Sequence, residues 1–97
     1  MSRIWIVYSE IRSSEFSNGA FLECYVPEDD IVNAICSAKI FLKNMGVSVI
    51  DIDKCIEHIE DEWDDDNDPE QEVRGLVKKV HLTQKIQTGI FRAYEKS

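Results

Sequence analysis

The chain has 97 residues, 43% hydrophobic and 9% aromatic, and sets 11 Lys+Arg against 19 Asp+Glu for a formal charge of −8. That length leads us to expect a single domain, and the apolar content a globular rather than a disordered chain. No window approaches the ~18 consecutive apolar residues of a membrane span, so no membrane partner is expected.

Ile4-Trp5-Ile6-Val7-Tyr8 is β-branched and aromatic at both parities, which predicts a first strand over residues 3–9 with much of both faces covered. Residues 10–19 end in Ser17-Asn18-Gly19 and predict a hairpin with an enlarged loop. A second strand follows over residues 20–26, turning Ala20, Leu22, Cys24 and Val26 inward and Phe21, Glu23 and Tyr25 the other way. Pro27 lacks an N–H and should stop the ladder, and Glu28-Asp29-Asp30 places acids where a helix N-terminus exposes unpaired N–H groups.

Ile31, Ala34, Ile35, Ala38, Leu42 and Met45 recur at steps of three and four, and Val32, Cys36 and Ile40 form a flanking row. This predicts a helix with a wide apolar stripe lying across a sheet, capped by Gly46. Residues 47–52 read as a third strand, which a strand, helix, strand crossover would make parallel to the second. From Asp53 to Trp63 the spacing of Cys55, Ile56, Ile59 and Trp63 fits a short helix, with a continued strand as the alternative. A loop over residues 64–68 leads to Pro69, a good first helical residue, and to a second helix reaching about Gln84 with Val73, Leu76, Val77 and Val80 on its apolar face. Gly89 precedes a last strand over residues 90–94.

This order implies a single α+β domain over residues 1–97, a two-layer sandwich in which a mixed four-stranded sheet carries two main helices on one face. It is similar to a ferredoxin-like plait in architecture only, because the element order is not βαββαβ. Leu22, Cys24, Ile35, Ala38, Leu42, Ile50, Val77 and Val80 are the inward positions expected to meet in one core. Met1-Ser2-Arg3 runs into an apolar stretch with no small-residue cleavage site behind it, which is the pattern of a cytoplasmic protein. Cys24, Cys36 and Cys55 are odd in number and widely spaced, so they read as reduced thiols rather than a disulfide framework.

Charge is unevenly spread. Residues 57–72 hold ten acids and no Lys or Arg, whereas residues 73–97 hold six bases and one acid. Asp64-Asp65-Asp66-Asn67-Asp68 resembles the start of a calcium loop, but Pro69 and Gly75 stand where that loop needs a Gly and a bidentate Glu. Neither a metal nor any other cofactor is therefore expected, and a solvated charge run is the plainer reading. Cys55 and His58, three apart, would share one helical face as a thiol and base or as two zinc ligands. Acids at positions 57, 60 and 61 would raise such a thiol's pKa, and no four-ligand set is at hand. Arg74, Lys78, His81 and Lys85 make a basic stripe on the second helix, yet the net charge opposes phosphate and no basic stretch is interleaved with aromatics, so nucleic acid is not expected. Phosphate loops and a nucleophile elbow are absent, which leaves no catalytic residues to name and makes an enzyme the minority reading, carried only by Cys55 and His58.

The leading expectation is a small acidic protein-binding module that docks a basic protein through Asp61, Glu62, Trp63, Asp64, Asp65 and Asp66. An inhibitor of the immunity or antitoxin kind is one concrete form. Trp63 within the acidic block would be an aromatic anchor ringed by negative charge. The alternative is a homodimeric regulatory or small-ligand-binding domain, in which a second copy covers an open sheet face bearing Trp5, Val7, Phe21 and Tyr25.

Overall fold

The computed structural model describes residues 3–12, 19–59, 71–89 and 92–93. The double-sided apolar run near the N-terminus becomes the centre of the sheet. β1 (Arg3–Arg12) pairs with β2 (Ala20–Glu28) on one side and with β3 (Ser48–Glu57) on the other. It runs past residue 9 because Ser9 and Ile11 continue its alternation and are buried. Between β2 and β3 lies α1 (Ile31–Asn44), and after β3 come α2 (Glu72–Thr83) and the short strands β4 (Gln87–Thr88) and β5 (Arg92–Ala93). The order across the sheet is β3-β1-β2-β4, with β5 also on β2.

An α+β fold of helices packed on a sheet is what the sequence predicts and what the structure has, but the arrangement differs in several respects. The sheet is antiparallel in every ladder, not mixed. β3 does run in the direction of β2, as the crossover requires, but β1 lies between them and opposes both. Nor do the helices share a face. Val7, Ile11, Ala20, Leu22, Cys24 and Val26 form one cluster with Ala34, Ala38 and Leu42 of α1, while Ile4, Ile6 and Tyr25 form another with Val73, Val77 and Val80 of α2. The register opposes Val7 to Cys24 and Ile6 to Tyr25, so the two sets point to opposite sides. The single expected core is therefore two, and the open face expected to carry Trp5, Val7, Phe21 and Tyr25 is not one surface, because Trp5 and Val7 lie on the α1 side and Tyr25 lies on the opposite side under α2.

Four local expectations also change. β2 continues through Pro27, which lies opposite Ile4, beyond the two residues that β4 pairs. There the missing N–H can face away from β1 at no cost to the ladder. The segment after Asp53 continues β3 to Glu57 rather than forming a short helix. Two register shifts against β1 leave Ile50 and Asp53 as extra residues on β3, and such bulges turn Ile50 outward, where it is 47% exposed. The last strand is divided into β4 and β5 around Gly89, whose N–H donates to the Glu23 carbonyl at 2.8 Å.

Both ends of α1 follow the sequence. The Asp30 side chain accepts from the Asn33 N–H at 2.8 Å as an N-cap. At the other end Gly46 takes a φ of +80°, its N–H donates to the Lys43 carbonyl, and the Val47 N–H donates to the Leu42 carbonyl, each at 3.0 Å. This is a Schellman cap, completed by the burial of Val47 in the same cluster as Leu42.

Candidate functional site

The expected contact set, Asp61, Glu62, Trp63, Asp64, Asp65 and Asp66, lies outside the described residues. The elements on either side of it are well placed. Ile56 near the end of β3 packs against the cluster that holds Ile4 and Val73, and the His58 N–H donates to the Ile4 carbonyl at 2.8 Å. Gln71, with a φ of 57°, opens α2, whose Val73 enters that cluster. The described residues on either side of the tract, Ile56 of β3 and Val73 of α2, thus meet in one apolar cluster. Arg3 pairs with Glu57 at 3.5 Å, but the pair is open to water, with side chains 61% and 37% exposed, and such a pair contributes little.

Cys55 and His58 do not form the imagined dyad. In extended backbone, side chains three apart point to opposite sides, and Cys55 packs toward α1. Burial raises the Cys55 thiol above its ordinary pKa and pushes Cys24 up to about 12, the reverse of an activated nucleophile. All three cysteines are free, with Cys36 exposed on α1. Among the described residues no three His, Cys, Asp or Glu side chains converge on a possible metal position.

Two concavities were not foreseen. Between α1 and β3 runs an open groove of about 840 Å³, with Ile35, Val47 and Ile52 as apolar lining and Lys39 and Lys43 beside them. Across the sheet, Tyr8, Phe21, Glu23, Asp53 and Lys54 border a shallow cleft of about 320 Å³. There the Lys54 ammonium sits 4.6 Å from the centroid of the Tyr8 ring, a cation–π contact. Next to this cleft the buried Tyr25 hydroxyl donates to Glu23 at 2.9 Å. Burial first, then the charge of Glu23 and its hydrogen bond, hold that hydroxyl protonated far above the usual phenol range. Of the basic stripe, Lys78 and His81 are exposed on α2, Arg74 is half-buried and Lys85 lies beyond the helix end.

The surface of α1 is the other feature that sequence reasoning missed. Its stripe is narrower than expected, because only Ala34, Ala38 and Leu42 are buried, and Val32 and Ile40 are 66% and 62% exposed with Cys36 exposed between them. The signal was present in the sequence, since apolar residues cover more of the helix circumference than one sheet face can bury. Comparisons with protein-family models, curated proteins and solved structures found no match to this chain.

Proposed function

We propose that this protein is an acidic protein-binding module that captures a basic protein through Asp61, Glu62, Trp63, Asp64, Asp65 and Asp66. The observation that carries the reading is the density of residues 57–72, ten acids with no Lys or Arg. Such density repels itself, whereas a cationic partner relieves the repulsion and is drawn in faster by the field. Supporting it, the described residues before and after the segment, Ile56 and Val73, pack on one apolar cluster, so the acids lie within the chain between two elements of the fold. An inhibitor that covers the phosphate-binding cleft of a basic nuclease is the form in which these properties are most useful.

The test is capture from cell extract by the immobilised protein, followed by mass-spectrometric identification. Basic proteins retained at low ionic strength and released at high salt, and lost when Asp64, Asp65 and Asp66 are all changed to Lys, are the expected result. Equal retention by that triple variant and by Trp63→Ala would remove this surface as the site.

A further inference from the structure

Among the described residues, α1 carries an apolar stripe with no partner. Val32, Cys36 and Ile40 stand at steps of four on the side turned away from the sheet, and the first and last are among the most exposed large apolar residues of the described chain. The charges along this helix are ordered, with Asp29 and Asp30 exposed at its start and Lys39 and Lys43 exposed toward its end. A uniformly acidic or basic partner lying along the stripe would be repelled at one end. A second α1 running the opposite way is attracted at both.

We propose that α1 pairs with α1 of a second copy, antiparallel, about a two-fold axis that passes beside Cys36. Residues equally far before and after position 36 then face each other. Val32 meets the partner subunit's Ile40, and Lys43 meets the partner subunit's Asp29, each contact occurring twice. The helix dipoles oppose, which adds to the attraction. An interface built on one helix face lies at the small end of the size range, so association belongs in about the micromolar to hundred-micromolar range. The pairing uses none of the acidic tract, and its success or failure is separate from that of the function proposed above.

Sedimentation equilibrium of the full chain in reductant tests it. The mass should climb from 11.2 kDa toward twice that value with concentration. Ile40→Glu, at an exposed position where folding is not at stake, should weaken association more than about tenfold. Lys43→Glu should weaken it by about threefold to thirtyfold, and adding Asp29→Lys should restore it, since the swapped pair again attracts. In a Cys55→Ser variant, a short bismaleimide should join Cys36 to its symmetry mate, and Ile40→Glu should abolish the product. A strict monomer at several hundred micromolar, or a dimer indifferent to Ile40→Glu, overturns the proposal. Loss with Lys43→Glu that Asp29→Lys does not repair overturns the antiparallel register.

Discussion

Cys24 and Tyr25 are neighbours on β2 that serve opposite faces of the sheet. The thiol lies in the cluster under α1 and the phenol in the cluster under α2. Alternation predicted the inward thiol, whereas the burial of Tyr25 depended on a helix arriving from elsewhere in the chain. Both groups are held in their protonated, neutral form by burial, which gives the protein an alkaline limit. The Cys24 thiol titrates near 9.0 when unfolded and near about 12 when folded, so between those values the unfolded chain binds fewer protons and stability falls as pH rises. Below that window its contribution is complete. Urea midpoints should show this loss setting in above about pH 9, with Cys24 supplying up to about 1.4 kcal/mol per pH unit. Cys24→Ala should remove that part of the slope and leave the part due to Tyr25. An unchanged slope would show that the thiol ionises as readily in the folded chain as in the unfolded one.

Two glycines at the level of elements separate backbone freedom from packing. Gly46 and Gly75 both have open space where a Cβ would go, so substitution by Ala meets no neighbour at either position. At Gly46 the φ of +80° belongs to the Schellman cap, and Ala there should destabilise by about 1–2 kcal/mol. Gly75 lies within α2 in ordinary helical backbone, and Ala there should stabilise by about 1 kcal/mol by restricting the unfolded chain. Chemical denaturation of the two variants should therefore give shifts of opposite sign, and shifts of the same sign would contradict the cap. The Gly46 cap and the Asp30 N-cap were readable because caps depend on a few consecutive residues. The fate of residues 53–57 was not, because Cys55, Ile56 and Ile59 satisfy either period over so short a stretch, and pairing with β1 is what selects the strand.

For the molecule as a whole, the sheet separates two apolar clusters that share no residue. Leu42→Ala should cost about 2–5 kcal/mol through the cavity it leaves under α1, and Val80→Ala should cost less on the other side. Their effects should add to within about 0.5 kcal/mol, because neither side chain belongs to the other's cluster. A coupling above about 1 kcal/mol in the double mutant would mean that the two helices sense each other through the sheet. The same separation puts Ile56 and Val73, the described residues that flank the acidic tract in sequence, with the second cluster, and the exposed stripe of α1 on the side of the first. The two proposed surfaces can therefore be altered independently.

The sequence by itself determined which segments are strands and helices wherever a period ran long enough, how α1 is capped, and where the acids concentrate. These follow from local geometry and composition. It also carried, in the apolar residues at both parities of β1, the requirement that both sheet faces be covered. Only the tertiary structure decided that β1 lies between β2 and β3, that α2 covers the face opposite α1, and that Val32 and Ile40 are left outside both clusters of the chain. Each of these depends on which distant segment reaches a surface first and fills it, and the period of one segment carries no information about its competitor.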